Sequence, residues 1–292
     1  MSDERELIEL PSGVKLYYRD SDHSYWRHNE KTGKPGRRAT GVTTACKALD
    51  TDPSNLMKWA AKQQLIGASK LVDALGEDAA ELLADPDRAW AELEARAWTY
   101  NDVRDKAASE GTNVHRQAFE ALANGEPMPD LTGLGEREVG LSRAVQAAWF
   151  DHAPTAEYVE QVVYSDRLGV AGRVDFIGGI SPCDDKACGC HKLNTLFTGV
   201  LDLKTGNYLG ASAHAQVGGG YPLLAEESGF AEPGWAAMLK VSEDGSYEIV
   251  PAESSREDFE LAVLTYRAAG RINGAAGKAR KARREARGAV AA

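Results

Sequence analysis

Two aspartates and a lysine in the middle of the chain have the types and spacing of a metal-dependent catalytic site. Asp202 and Lys204 lie in the run 201–206, and Asp175 ends the earlier run 172–175. Side chains alternate between faces along a strand, so Asp202 and Lys204 should point the same way. Two carboxylates in one pocket repel each other unless a cation lies between them, and the hard ions Mg²⁺ and Mn²⁺ suit such oxygen ligands. The pattern predicts metal-assisted hydrolysis of a phosphodiester.

An acidic residue and a histidine, both earlier in the chain than Asp175, are further candidates for this site. Glu160 lies near the start of the predicted strand before the first aspartate, and Glu157, three residues earlier, is the competing assignment. His115 is followed by Phe119 and Leu122 at helical spacing, which is typical of a histidine packed beside a core. A neutral imidazole is also a ligand for Mn²⁺, so both interpretations of His115 stay open.

These residues occur in an order that resembles the PD-(D/E)XK nuclease superfamily, in its RecB-like, phage exonuclease branch. The run Gly111–His115 matches a Gly-x-x-x-His element of that branch, and it precedes Glu160, Asp175 and the run Asp202–Lys204. The similarity spans roughly residues 40 to 225. Each element alone is common, but the ordered set is fairly specific.

The resemblance implies a role for each of these residues. The implied catalytic residues are Glu160, Asp175, Asp202 and Lys204. The implied ligands of one or two Mg²⁺ or Mn²⁺ ions are His115, Asp175, Asp202 and the backbone carbonyl of Leu203. Glu160 would bind a second ion or hold a metal-bound water. Lys204 would stabilise negative charge at the phosphate, and it could also orient or deprotonate the attacking water, because burial and a nearby metal lower a lysine pKa.

The family's DNA-lining Gln-x-x-x-Tyr helix is matched with an offset. Gln216 corresponds to the glutamine, but Gly220 occupies the tyrosine position and Tyr221 follows one residue late. One residue on a regular helix is a rotation of about 100°, which would turn Tyr221 away from Gln216. The run 218–222 is also a poor helix interior, since it holds three glycines and a proline. We expect either a distorted helix or a close approach of the backbone to DNA.

The connection between the two aspartate strands contains a possible zinc site: Cys183, Cys188, Cys190 and His191. Cys46 lies far away in sequence. Thiolates and imidazole suit zinc, although the adjacent Cys190 and His191 would strain a tetrahedral site, and free thiols are the open alternative. Some relatives in the resembled superfamily hold an iron–sulfur cluster with one cysteine before the nuclease core and three after it. The trio here lies inside the core, so an iron–sulfur cluster is not expected, and a cytosolic location disfavours a disulfide.

The charge of the chain is unevenly distributed. The formal net charge of −10 opposes binding to a polyanion. Acidic residues gather between Asp73 and Glu94, whereas the C-terminus is basic, with Lys278, Arg280, Lys281, Arg283, Arg284 and Arg287. This basic end is predicted to be either a solvated tail or a DNA-contacting arm. With no apolar run long enough to span a bilayer and no signal-peptide pattern, we expect a cytoplasmic protein without a membrane partner, in the host cytoplasm if phage-encoded.

Hydrophobic periodicity predicts which elements position these residues. It predicts a hairpin over Val14–His28, a loop over Asn29–Arg38, and an almost wholly helical stretch over residues 67–127 with a break at Pro86. A helix is expected from Glu136 to Phe150. The predicted strands are Tyr158–Ser165, Ala171–Gly178, Phe197–Lys204, Trp235–Val241 and Tyr247–Val250. A final helix is expected to begin near Ser254.

Together with the resemblance, this pattern implies an α/β (α+β) fold. Its centre would be a mixed β-sheet of the restriction-endonuclease-like type, flanked by helices and preceded by a helical N-terminal part. A chain of 292 residues that is 43% hydrophobic suits one elaborated domain. The expected organisation is an N-terminal hairpin and loop over 1–40, a nuclease domain over 41–270 and a basic tail over 271–292. The nuclease domain would divide into a helical part, 41–153, and a catalytic sheet, 154–270.

The expected function is metal-dependent hydrolysis of DNA, by an exonuclease acting on linear DNA in phage or bacterial recombination or replication. DNA is the expected substrate, and a recombination or replication protein is a possible partner. The alternative is a catalytically inactive nucleic-acid-binding or assembly protein on the same fold. An enzyme for a small phosphorylated substrate is disfavoured, because the chain has no Gly-rich phosphate-binding motif.

Overall fold

The structure, a computed structural model, describes residues 5–50, 52, 54–126, 131–206 and 208–290. The strands are β1 (Glu6–Glu9), β2 (Lys15–Arg19), β3 (Ser24–Asn29), β4 (Lys34–Arg38), β5 (Thr40–Gly41), β6 (Thr155–Ser165), β7 (Val170–Gly179), β8 (Gly199–Lys204), β9 (Ala236–Val241) and β10 (Tyr247–Pro251). The helices are α1 (Val42–Cys46), α2 (Ser54–Leu75), α3 (Ala79–Leu83), α4 (Pro86–Ala95), α5 (Tyr100–Asn124), α6 (Glu136–His152), α7 (Ala211–His214), α8 (Tyr221–Glu227) and α9 (Arg256–Val290). A π-helix, Ala215–Gly220, joins α7 to α8.

The N-terminal part is a four-stranded antiparallel sheet in the order β1-β2-β3-β4. The predicted hairpin is confirmed as β2 and β3, but the loop predicted over Asn29–Arg38 is wrong where β4 pairs with β3. Gly, Pro and Arg have low strand propensity, and the pairing overrides it. Opposite Arg38 lies Trp26, whose ring also contacts the guanidinium of Arg38 and that of Arg19. These cation–π contacts help to hold β4 in place.

The larger sheet has the order β10-β9-β8-β7-β5, with β6 paired to β7. It is mixed, because β8 runs antiparallel to β7 but parallel to β9. Apolar side chains pack on both faces of this sheet. Val200 packs in one core with α1, α8 and α9, and the adjacent Leu201 packs in another with α5 and α6. The predicted mixed α/β organisation, with an open mixed sheet flanked by helices, is therefore confirmed.

The alternation of side chains breaks at one point in β7. Val174 packs in the first core and Phe176 in the second, although residues two apart in a strand normally share a face. Between them lies Asp175, and opposite it in β6 lies Glu160, whose φ of 51° falls in the left-handed region. Such a conformation costs on the order of 1–3 kcal/mol for a residue other than glycine. The backbone strain therefore falls at Glu160, a predicted site residue that lies opposite Asp175.

The C-terminal helix α9 continues through the segment predicted as a separate tail. It runs without interruption from Arg256 to Val290, so the boundary expected at residue 271 does not mark the end of an element. The side chains of Arg283, Arg284 and Arg287 lie outside the described part of the structure. Among the described residues, no helix is both long enough and apolar enough to cross a membrane.

Glycines in the π-helix allow it to pack directly on the start of α9. A Cβ added at Gly219 would lie 2.1 Å from the backbone oxygen of Ser255, far inside contact distance. We predict that Gly219→Ala lowers the free energy of unfolding by about 1–3 kcal/mol, because backbone must move to relieve the overlap. Urea unfolding followed by circular dichroism measures this.

A matched substitution in α9 controls for helix propensity. Gly270 is exposed and a Cβ there would meet nothing within 4 Å. Gly270→Ala should leave stability unchanged or raise it by up to about 1 kcal/mol, since alanine favours a helix interior. Equal urea midpoints for Gly219→Ala and the wild type would contradict the packing argument.

Candidate functional site

A gap along one edge of β7 creates the site. Strand β6 pairs with one edge of β7 along its whole length. Strands β5 and β8 therefore both pair with the opposite edge of β7. Strand β5 pairs with Val170 and Ala171, and β8 pairs with residues 176–178. The stretch between them, which includes Asp175, has no strand partner on this edge among the described residues. Instead the Asp175 carboxylate accepts a hydrogen bond from the Leu203 amide at 2.8 Å. The carboxylate thus accepts a hydrogen bond that a backbone carbonyl of β7 would accept if β7 and β8 stayed paired.

His115 links the carboxylates of Glu160 and Asp175. Its Nε2 lies 2.7 Å from Asp175 Oδ2, and its Nδ1 lies 3.0 Å from Glu160 Oε1. Burial by itself would lower the pKa of His115, but the charges and hydrogen bonds of Asp175 and Glu160 outweigh it and raise that pKa to about 10. Without a metal, His115 is therefore an imidazolium that neutralises two neighbouring acids. The three side chains form a group whose ligand atoms all lie within 4.8 Å of one another.

Helix α5 positions His115, and the Gly-x-x-x-His element has a structural reason. The helix begins at a capping box in which Thr99 and Asp102 exchange hydrogen bonds, and it ends at Gly125 with a φ of 65°. A Cβ added at Gly111 would lie 2.6 Å from Thr205 Oγ1, just beyond the end of β8. Only glycine lets the helix approach the strand end so closely, and His115 follows one turn later.

Asp202 and Lys204 lie together in β8. Asp202 is 2% exposed. Continued by one residue, the β7–β8 register places Asp202 opposite Asp175. Burial and the charge of Asp175 raise the pKa of Asp202 to about 6, against the opposing effect of Lys204. Lys204 Nζ lies 2.5 Å from Asp202 Oδ2, so the lysine ammonium is the charge partner of this buried carboxylate. Lys204 thus places a cation beside a carboxylate that burial makes costly to ionise.

The protonation state of Lys204 follows from its neighbours. Burial lowers the pKa of this lysine, but Asp202 and Asp175 outweigh burial and raise it above the usual range. Lys204 is therefore an ammonium ion beside these two carboxylates, and this form stabilises negative charge.

Arg173 belongs to the site, although none of the sequence motifs assigns it a role. Its Nε lies 2.6 Å from Glu160 Oε2, and it also donates a hydrogen bond to the hydroxyl of Tyr18 at 2.9 Å. The Tyr18 hydroxyl in turn donates to Asp20. The N-terminal sheet thereby fixes the orientation of Glu160. The competing residue Glu157 is exposed and instead accepts a hydrogen bond from Thr198, so the structure brings Glu160 and not Glu157 to the site.

The offset between Gln216 and Tyr221 is absorbed by the π-helix. A π-helix has one more residue per turn, so residues five apart share a face, and Gln216 donates a hydrogen bond to the Tyr221 hydroxyl at 2.6 Å. The expectation of a distorted helix is correct, whereas the predicted separation of these two side chains is wrong. The glycines approach the start of α9, and Gln216 and Tyr221 are 6% and 3% exposed. The expected DNA-binding pair is therefore buried behind Asp175 and Asp202, whose charges help to raise the pKa of Tyr221.

An open cavity of about 780 Å³ gives access to the group of His115, Glu160 and Asp175, while Asp202 and Lys204 do not line it. Its lining includes His115, Glu160, Arg173, Asp175 and Leu203. The amide of Leu203 is committed to Asp175, and its carbonyl as a metal ligand stays a prediction. A second cavity, of about 970 Å³, lies beside Cys183 and Cys188 and shares no lining residue with the first.

The cysteine trio converges, but with a different histidine from the one predicted. The ligand atoms of Cys183, Cys188, Cys190 and His152 lie within 4.8 Å of one another. His191 is exposed and does not join them, because a residue next to Cys190 cannot turn back onto the same point. His152 ends α6, far upstream, and no spacing pattern connects it to the cysteines. The structure thus contains two groups of potential metal ligands, one with carboxylates and one with thiols.

No protein-family model matches the chain, and no curated protein matches it. The geometry of the two ligand groups is therefore the basis for any functional assignment. The carboxylate group offers hard oxygen ligands at a site open to a substrate, and the thiol group offers soft ligands at the end of a helix.

Proposed function

We propose that this protein is a Mg²⁺- or Mn²⁺-dependent deoxyribonuclease with a sheet of the restriction-endonuclease-like type and a PD-(D/E)XK site. The observation that carries the proposal is the group of His115, Glu160 and Asp175 at the gap between β7 and β8, with the Asp202–Lys204 ion pair on the neighbouring strand. These residues come from one helix and three strands, so a chance cluster of surface charges does not account for them. Placing repelling carboxylates in a buried and strained position costs stability. Such costs are typical of functional sites.

The side chains present fit a divalent ion. Asp202 is a buried carboxylate beside the Lys204 ammonium, and Asp175 presents a second carboxylate opposite it. His115 and Glu160 complete a set that would hold one or two ions. Carboxylates suit Mg²⁺ and Mn²⁺, and the imidazole adds a preference for Mn²⁺. When bound, such an ion supplies an activated water, neutralises charge on the phosphate and supports the leaving oxygen.

The protein's own groups prepare the site for this chemistry. The Leu203 amide fixes the Asp175 carboxylate, and Arg173 fixes Glu160. The Lys204 ammonium beside Asp202 would stabilise the negative charge that develops on a phosphate during attack. His115 loses a proton when it becomes a ligand, since a metal binds only the neutral imidazole nitrogen.

The substrate class follows from the access to the site. The cavity is partly open to solvent, which is compatible with a polymer substrate that extends beyond it. We assign linear DNA as the substrate and an exonuclease role in recombination or replication, with a protein of that process as its partner. The alternative is an inactive nucleic-acid-binding or assembly protein. The buried position of Gln216 and Tyr221 and the net charge of −10 favour that alternative, but the intact acids and lysine oppose it.

Digestion of end-labelled linear DNA and closed circular DNA tests the proposal. Linear DNA should be degraded with Mg²⁺ or Mn²⁺, and Mn²⁺ should act at the lower concentration. Chelation should stop the reaction and added metal should restore it. Sparing of the circle identifies an exonuclease, and cutting of the circle identifies an endonuclease. Binding of DNA without cleavage in either metal would reject the enzyme in favour of the alternative.

A further inference from the structure

The thiol group is independent of the carboxylate site. Cys183, Cys188 and Cys190 lie in the connection between β7 and β8, and His152 is the last residue of α6. His152 and Cys190 are 2% and 1% exposed, and the other two cysteines are partly buried. Three thiols and an imidazole are thus brought from two separate segments to one point beneath the surface.

The distances within this group match the edges of a tetrahedron around zinc. Zn–S bonds of about 2.3 Å place two sulfurs about 3.8 Å apart, and Zn–N bonds of about 2.0 Å give an S to N distance of about 3.6 Å. The Sγ atoms of Cys183 and Cys190 are 3.6 Å apart, and Cys188 Sγ lies 3.9 Å from His152 Nε2. The backbone amide of Cys190 also points to Cys188 Sγ, at 3.5 Å, and such a donor stabilises a thiolate.

The hydrogen bonds of His152 leave one nitrogen free for a metal. Its Nδ1 lies 2.9 Å from the carbonyl oxygen of Ser181, which can only accept, so Nδ1 carries the proton. In the neutral ring Nε2 then bears a lone pair directed at the thiols. Tyr247 lies 3.3 Å from Nε2, but its hydroxyl donates its one hydrogen to Asp151 at 2.6 Å. A ring fixed by a backbone carbonyl at one nitrogen is the usual arrangement of a metal-bound histidine.

From this geometry we infer that His152, Cys183, Cys188 and Cys190 form a structural Cys₃His zinc site. Binding displaces the thiol protons into solvent and involves no redox change. Four protein ligands leave no open position for a substrate, which is typical of structural rather than catalytic zinc. The ion would fasten the 180–198 connection to the end of α6 and so hold the two strands that carry Asp175 and Asp202. Gly189 already approaches β10 so closely that a Cβ would lie 1.9 Å from the backbone oxygen of Ile249.

Metal analysis of the full-length protein, purified without chelators from zinc-supplemented medium, tests this inference. We expect one zinc per chain in the wild type. His152→Asn and Cys190→Ser should each lose it, whereas His191→Asn, which alters the exposed histidine next to Cys190, should keep it. Asp175→Asn should also keep it, which separates this site from the carboxylate site. Wild-type protein without zinc, or His152→Asn with full zinc, would overturn the inference, as would iron with acid-labile sulfide.

Two measurements on the wild type avoid reliance on variants that fail to fold. Cobalt exchanged for zinc should give the intense visible bands of a tetrahedral thiolate site. Cys183 and Cys188 should resist alkylation until zinc is removed, and zinc removal should make the 180–198 connection sensitive to proteases. A Cys183–Cys190 disulfide found by mass spectrometry, or thiols that react equally with and without zinc, would contradict a zinc site.

Discussion

Asp202→Asn and Lys204→Ala are each expected to abolish metal-dependent digestion of linear DNA, with a loss of at least about 10²-fold. Asp202→Asn keeps the shape of the side chain but removes the charge that attracts the ion. Lys204→Ala removes the ammonium that lies 2.5 Å from Asp202 Oδ2 and that would stabilise charge on the phosphate. The measurement is the initial rate of release of labelled nucleotide from linear DNA at saturating Mn²⁺.

Matched substitutions on the exposed connection control for these two variants. Asp184→Asn and Lys186→Ala make the same chemical changes on exposed side chains of the 180–198 connection, in neither of the two groups of site residues. Both should retain the wild-type rate. Circular dichroism should show that all four variants are folded. Wild-type rates in both Asp202→Asn and Lys204→Ala would refute the proposed nuclease site.

His115→Gln is expected to weaken Mn²⁺ binding and to remove a proton release that accompanies it. In the metal-free protein the pKa of His115 is raised to about 10, so at neutral pH the ring must lose a proton before it binds metal. Wild-type affinity should therefore rise with pH below about 10, by up to tenfold per unit. Loss of a ligand should lower affinity at pH 8 by at least about 10-fold to 100-fold.

Calorimetric titration with Mn²⁺ in two buffers of different ionisation enthalpy counts the released protons. The wild type should release about one more proton than His115→Gln at neutral pH, and His191→Gln should behave as the wild type. Equal proton release in wild type and His115→Gln would show that His115 is not a ligand, whatever the activity of the variant.

The raised pKa of His115 also affects the stability of the metal-free protein. A folded-state pKa raised above the unfolded value of 6.5 stabilises the fold fully below pH 6.5, and this contribution is lost as pH rises through about 10. The free energy of unfolding of chelated wild type should therefore fall more steeply across this window than that of His115→Gln. The difference between the two proteins isolates His115 from other groups that titrate there.

Local rules were sufficient for much of the fold and part of the site. The alternation of side chains in a strand placed Asp202 and Lys204 on one face, and strands matching the three predicted ones carry Glu160, Asp175 and Asp202. The helix with His115 follows from its 3.6-residue periodicity. In each case the prediction concerns residues a few positions apart, and the geometry of one strand or one helix determines their relation.

The sequence by itself therefore determined which residues carry charge, on which elements they lie, and that a mixed sheet with flanking helices holds them. Only the tertiary structure decided three further points: that His152 rather than His191 meets the cysteines, that Arg173 holds Glu160, and that Gln216 and Tyr221 bond across a π-helix. The first two join residues from elements whose approach no local period describes. The third depends on the glycines that pack against α9, because this contact between distant segments favours a helix with an extra residue over a regular one.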